Sequence, residues 1–417
     1  MSGFAEKRRR FLFTSALSAV AWGAGRSVSA FAVEPRRREP QGDVLVTIFQ
    51  RGGADGLNLV VPYAEDAYYR LRPTLAVPSP KDKKASPAAR AIDLDGFFGL
   101  HPDLKPLYPL FAEGTLAFVH GCGSGDQTRS HFEAMATVER GIARDSGPAS
   151  GWLARHLMSS PHDASSPLRA VAFGAGLPDA LRGAHAVALN RLDDFRLHFP
   201  RNWPTSPLTA ALTDIYKNVE DPIGVAGRET LAVLDRVNRL DPAHYRPAHG
   251  AQYPDSDLGR SLRQVACLIK GSVGLEVACL DCGGWDTHFV QGQIQPGLLR
   301  DLGSALAAFA QDLGSTLQRV TVLVMTEFGR RAYENSSLGT DHGRGGVWML
   351  LGGGVNGGQV FAEWKGLDEA HLEPPGDLPV TIDYRDVLAE VIQKRLGNPN
   401  VSEVFPSYQP TPRRMIV

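Results

Sequence analysis

The chain predicts a doubly wound α/β fold, a mostly parallel sheet with helices on both faces. Short apolar runs rich in β-branched residues alternate with stretches where apolar residues recur every three or four positions. That alternation is how crossover-connected parallel strands appear in sequence. Acidic and imidazole residues fall directly after several of the runs, at the carboxyl ends of strands, where open α/β sheets take ligands.

Residues 1–32 are set apart from the fold. Arg8-Arg9-Arg10-Phe11-Leu12 fits a twin-arginine pattern, an apolar small-residue stretch runs from Phe11 to Trp22, and Ala30-Phe31-Ala32 offers a cleavage site. The expected consequence is export through the twin-arginine machinery to the periplasm or beyond. An uncleaved amphipathic helix or anchor is the alternative. The apolar run is short and broken by Gly and Ser, so no stable membrane span is expected in the mature chain. Arg36-Arg37-Arg38 reads as a solvated tether.

The first strand is Asp43–Phe49, feeding a Gly-rich loop. Leu116–His120, Ala170–Gly174, Leu275–Leu280, Val320–Met325 and Val347–Leu351 follow as further strands. His131–Ala143, Arg228–Arg239, Leu299–Thr316 and Tyr384–Leu396 carry helical apolar spacing. Residues 161–253 are poorer in strand signals and rich in Pro, Asp and Arg, and are read as an insertion or cap in a single domain, 33–417.

With 44 basic and 45 acidic residues the formal net charge is −1, which supplies no global basic field for nucleic acid. Of the four cysteines, Cys279 and Cys282 form a CxxC. Its redox or zinc reading is weaker than that of buried small residues in a strand, because no second CxxC accompanies it. An oxidoreductase using this pair is the least supported function.

Five segments carry candidate chemistry. In Arg51-Gly52-Gly53-Ala54-Asp55-Gly56, Asp55 lies just past a strand end; the alternative is a plain Asp-Gly turn. In Gly123–Phe132, Ser130 or Thr128 is the natural N-cap of a helix. A hydroxyl there faces free N–H groups, a geometry suited to attack on a phosphate or sulfate centre, and Arg129 is placed to neutralise an anion. Asp286 and His288 stand two residues apart in a loop. Glu327 is the acid that ends the strongest strand, with a metal or Arg330 or Arg331 as its partner. Asp341 and His342 lie in the small-residue turn Gly339–Gly346. Carboxylates and imidazoles gathered at strand ends suit a divalent metal, and metal-assisted hydrolysis is the leading expectation.

At RGGADGLNLVVPY, DLDGFFGLHP, DQTRSHFEA, GGWDTH, MTEFGR and GTDHGRGG, in this order, the chain resembles the DUF1501 family of exported bacterial proteins, from about Val44 to Phe405. That family is similar in fold to the alkaline phosphatase and sulfatase superfamily. The resemblance implies that Asp55 matches the first metal-binding acid and that Ser130, or else Thr128, falls at the nucleophile. It sets Asp286 with His288 at an Asp/His pair, Glu327 at the acid of an Asp-His-Gly motif, and His342 at the final His. Here only Thr287 separates the Asp/His pair, Phe328 replaces the His after the acid, and no Cys-x-Pro-x-Arg signature is present.

The expected ligands are therefore Asp55, Asp286, His288, Glu327, Asp341 and His342. They would hold one or two ions of zinc, manganese, calcium or magnesium. The expected substrate is a small anionic ester; the alternative is a non-catalytic exported binder on the same fold, holding a metal or recognising a glycan or envelope component.

Overall fold

The computed structural model describes residues 43–143, 147–160, 166, 168–194 and 205–417. The expected export signal and basic tether lie outside these residues.

A central sheet has the strand order β11-β5-β10-β9-β1-β8-β6-β7. Its members are β1 (Val44–Gln50), β5 (Leu116–Gly123), β6 (Ala170–Phe173), β7 (Val187–Leu189), β8 (Val277–Cys282), β9 (Val320–Thr326), β10 (Gly346–Gly352) and β11 (Val360–Ala362). The short β12 (Ile382–Asp383) also pairs with β5. β2 (Val60–Val61), β3 (Ile92–Asp93) and β4 (Gly99–Leu100) form a small separate sheet. In the central sheet β10 runs antiparallel to both its neighbours, β5 and β9, while every other described pairing is parallel.

Side-chain alternation sorts these strands between two cores. Val44, Val46 and Ile48 of β1 join Val320, Val322 and Val324 of β9 on one face. Helices Asp257–Lys270 and Gln291–Leu313 cover that face with Leu262, Val265, Leu302 and Phe309. Leu45 and Phe49 join Leu323, Met325 and Trp348 on the other face, under helices Trp152–Ser159 and Tyr384–Glu390. Burial on both faces is why the strands read as unbroken apolar runs.

The segment 161–253 brings β6 and β7 into the sheet, and Val233 and Val237 of helix Pro222–Leu240 into the first core. The expected helix at 384–396 is α-helical only to Glu390 and continues as one π-helical turn, Val391–Arg395. Cys279 and Cys282 point into opposite cores, and all four cysteines are buried and free. Burial pushes the Cys279 thiol up to about 12 and Cys282 up to about 11, so neither is a thiolate near neutral pH. The CxxC spacing is a consequence of strand packing. Among the described residues, no helix is long and apolar enough to cross a membrane.

Candidate metal centre

The carboxyl ends of β1, β5, β8 and β9 share one edge of the sheet, and each opens into a loop carrying polar groups. Since β10 runs against them, its first residues also lie at this edge: Gly346 registers with Cys122 of β5. One long connection from β9 to β10 thus supplies Glu327 at its start and His342 near its end.

Four side chains converge there. Asp286, His288 and His342, three of the residues named from sequence, are brought together, and the fourth is His131. Ligand atoms of His131, Asp286 and His342 all lie within 4.8 Å of one another. His342 Nε2 and His288 Nε2 each lie 3.1 Å from Asp286 Oδ1, and His131 Nε2 lies 3.5 Å from Asp286 Oδ2. His288 Nε2 and His342 Nε2 stand 2.9 Å apart.

The outer ring nitrogens fix the tautomers. His342 Nδ1 is 2.9 Å from the Arg129 carbonyl, His131 Nδ1 is 2.8 Å from Glu327 Oε1, and His288 Nδ1 is 3.3 Å from Asp341 Oδ1. A carbonyl or carboxylate oxygen only accepts, so the tautomer with hydrogen on Nδ1 satisfies the outer partner of all three rings. In the neutral imidazoles the Nε2 lone pairs then face the cluster. His131 Nε2 is buried and has no hydrogen-bond partner, an uncommon state for a native polar atom. The lone pairs of His131 and His342 and the Asp286 carboxylate fit a divalent cation, with His288 Nε2 beside His342.

The electrostatics agree with that fit. Burial alone would raise Asp286, but the hydrogen bond and positive charge of Arg330 outweigh it and hold the carboxyl down to about 2. Burial lowers His342, favouring the neutral ring that binds metals. The hydrogen bond to Glu327 raises His131, making its ring the more basic ligand. Asn335 donates to Asp341 and is the main cause of its lowered pKa.

The backbone is shaped to allow this approach. Gly52 has φ +121°, and a Cβ there would sit 2.5 Å from the Asp286 nitrogen. Its amide donates to Glu327 Oε1 at 2.8 Å. Phe328, where the resemblance expected a His, packs against His131 and His342 with ring centroids 5.0 and 4.9 Å away. It shields the two ligand rings and offers no donor atom.

Several expected site residues serve otherwise. Asp55 lies outside the cluster: buried Arg72 takes its two oxygens at 2.6 and 2.9 Å, and Gln291 donates to it at 2.5 Å. A buried carboxylate needed a partner, and Arg72 supplies it. Glu327 is spent on Gly52, Thr326 and His131, so it stands behind the His131 ring. Its partner is His131 rather than Arg330 or Arg331. Asp341 likewise stands behind His288. Arg129 is paired with buried Asp377 at 2.5 Å and is not a free anion clamp. Thr128 Oγ1 donates to Glu133 and accepts from Ser130 N–H. Ser130 is the N-cap of helix His131–Arg140, yet its hydroxyl makes no capping bond.

Residues 43–398 match the sequence profile of a family described as "Protein of unknown function (DUF1501)". The chain belongs to the DUF1501 family. No curated protein matches this member. It is similar to solved structures at low identity. One is Ps i-CgsB in complex with k-i-k-neocarrahexaose, at 8% identity, TM-score 0.35, with 86% of this chain and 72% of that one covered. Another is alkaline phosphatase from the Antarctic bacterium TAB5, at 9% identity and TM-score 0.30, covering 77% and 95%. A third is the C-terminal periplasmic domain of EcEptC from Escherichia coli in complex with Zn, at 8% identity and TM-score 0.31, covering 93% of each.

His131 is not among the ligands expected from sequence. Its signal was present: an imidazole at the first position of a helix that follows a strand-end loop, directly after the N-cap Ser130. Arg330 and Asp377 were also missed as organisers. Buried Arg330 donates to Asp286 at 2.6 Å and to the carbonyls of Gly52, Gly53, Trp285 and Thr340, tying the loops together.

Proposed function

We propose that this DUF1501 protein is an exported hydrolase of phosphate or sulfate esters that uses one bound divalent cation, zinc by preference. The observation that carries the reading is the tautomer arrangement of His131, His288 and His342, each with Nδ1–H given to an oxygen and Nε2 turned toward Asp286. Metal-binding histidines have second partners of this kind. Nitrogen-rich donors favour zinc over calcium and magnesium, which take oxygen ligands. In this reading His131, Asp286 and His342 hold the ion and His288 completes the set, with Glu327 and Asp341 orienting two of the rings.

A bound cation supplies Lewis-acid polarisation of the ester oxygen. Ser130 is the nucleophile, because its hydroxyl is free of capping duty and its residue lies between Arg129, whose carbonyl holds His342, and His131. As the Oγ bond to phosphorus or sulfur forms, the bond from that centre to the ester oxygen breaks. The Ser130 proton ends on the departing alcohol. Water then releases the inorganic acid and restores the hydroxyl. Export by the twin-arginine route, with 161–253 as an insertion in one domain, belongs to the same reading.

The test is elemental analysis of exported protein with a panel of phosphate and sulfate esters, on wild type, His131→Ala and Ser130→Ala. The reading expects one equivalent of metal, lost in His131→Ala, and turnover lost in Ser130→Ala with metal retained. A wild type that takes up no metal on reconstitution sinks it.

A second reading, a non-catalytic exported binder of an envelope component, is favoured by one observation. Arg72 occupies Asp55 and Phe328 stands in place of an imidazole, so one cation-sized cluster is present among the described residues. Ligand binding that survives Ser130→Ala, in a protein that cleaves no ester, supports this reading.

A further inference from the structure

Gln291 is the first residue of helix Gln291–Leu313 and is fully buried. Its Nε2 donates to Asp55 Oδ2 at 2.5 Å and to Gln295 Oε1 at 3.2 Å. Its Oε1 accepts from the hydroxyls of Thr287 at 2.9 Å and Thr340 at 2.7 Å. Both N–H groups and both lone pairs of the amide are thereby used. Asp55 already accepts from Arg72 with each oxygen, so this amide orientation is the one that satisfies every partner.

The two threonines belong to the two segments that bring residues to the cluster. Thr287 separates Asp286 from His288, and Thr340 precedes Asp341 and His342. Burial alternates along the first segment: Trp285 and Thr287 are buried, while Asp286 is exposed and His288 half-buried. Thr287 faces the amide and its two neighbours face the cluster. The segments also meet through their backbones. Thr340 N–H donates to the Thr287 carbonyl at 3.2 Å, and Gln291 N–H to the Leu338 carbonyl at 2.8 Å. A Cβ on Gly339 would lie 2.3 Å from the His288 carbonyl oxygen.

We infer that Gln291 is a positioning residue for the metal centre: rooted on a helix, its side chain clamps Thr287 and Thr340 together and so sets how Asp286 and His288 stand relative to His342. The inference rests on the metal-binding part of the reading above. The chemistry is particular to an amide of this length, which offers donors at one end and an acceptor at the other. A carboxylate in its place would face Asp55 with a second acceptor, and an apolar chain would leave Asp55 and two buried hydroxyls short of a partner.

The test compares full-length Gln291→Leu and the near-isosteric double variant Thr287→Val/Thr340→Val with wild type. Thr321→Val is the control: Thr321 is buried at the opposite end of β9, where its hydroxyl donates to the Gly353 carbonyl and accepts from Arg395. The readouts are zinc affinity by chelator competition, the visible spectrum of cobalt-loaded protein, and hydrogen exchange of metal-free protein over 286–288 and 340–342. Both test variants are expected to bind zinc at least about tenfold more weakly, to shift the cobalt spectrum and to exchange faster in both segments. Thr321→Val should match wild type in all three. If Gln291→Leu does not fold, the threonine double variant decides. A folded double variant with wild-type affinity, spectrum and exchange overturns the inference, and so does an equal loss in Thr321→Val. Wild type that takes up no metal removes the metal reading. Faster exchange confined to the two segments then still upholds the clamp, and unchanged exchange removes it as well.

Discussion

Glu327 Oε1 lies 2.8 Å from His131 Nδ1 and 2.8 Å from the Gly52 amide nitrogen. One carboxylate thereby joins the ends of β1 and β9 to the helix that follows β5. It makes the His131 ring more basic and aims it at Asp286.

Glu327→Gln tests that role. The amide oxygen still accepts from one donor, but the charge that supports His131 is gone. Metal affinity is expected to fall about 10–100-fold, the usual cost of losing a carboxylate behind a ligating histidine. Chelator competition, with circular dichroism to confirm the fold, gives the answer. Unchanged affinity would remove Glu327 from the site's support.

Asp55→Asn separates structure from metal binding at a residue expected from sequence to be a ligand. Asp55 and Arg72 are both buried, so removing the acid leaves an unpaired buried guanidinium. The expected loss is about 3–5 kcal/mol of stability in urea unfolding. Metal content of the folded fraction should match wild type. A variant that stays stable and loses its metal would restore Asp55 as a ligand.

Gly52→Ala places a methyl against the backbone of Asp286 at a φ that alanine disfavours. It is expected to cost about 2 kcal/mol or more and to weaken metal binding by displacing Asp286. The readouts are the urea midpoint and metal stoichiometry. Equal values for both would show that the loop tolerates the shift.

Glu276 predicts an acid limb in stability. Burial raises its pKa, but hydrogen bonds from His156 and Arg169 outweigh burial and hold it at about 2, below the ordinary 4.5. A depressed folded-state pKa gives stability that is present above pH 4.5 and lost as pH falls toward 2. Urea midpoints measured down this range should decline in wild type. Glu276→Gln should be less stable at neutral pH and flatter across the same window. Parallel curves would assign the acid limb to other groups.

The fold was legible because the strands are covered on both faces, which leaves continuous apolar runs such as Val320–Met325. Short strands such as Val187–Leu189 and Val360–Ala362 carry too few residues for such a run. Asp286, His288 and His342 were legible as polar groups in glycine-rich loops past strand ends. Asp55 had the same local pattern, and what distinguishes it is Arg72, a partner whose approach is set by tertiary packing. His131 was hidden in a helical pattern whose apolar periodicity drew the reading toward the core. Ligand and supporting acid look alike in sequence; only the direction of an imidazole nitrogen separates them.

The reversed direction of β10 has a further consequence. Because it returns toward the edge where β9 ends, a single excursion of the chain, 327–345, furnishes a supporting acid, the buried arginine, one carboxylate–imidazole partner and a candidate ligand. The sheet beneath it contributes hydrogen-bond register and little else to this stretch. Changes confined to that one connection therefore alter a candidate ligand and the supports of the others together.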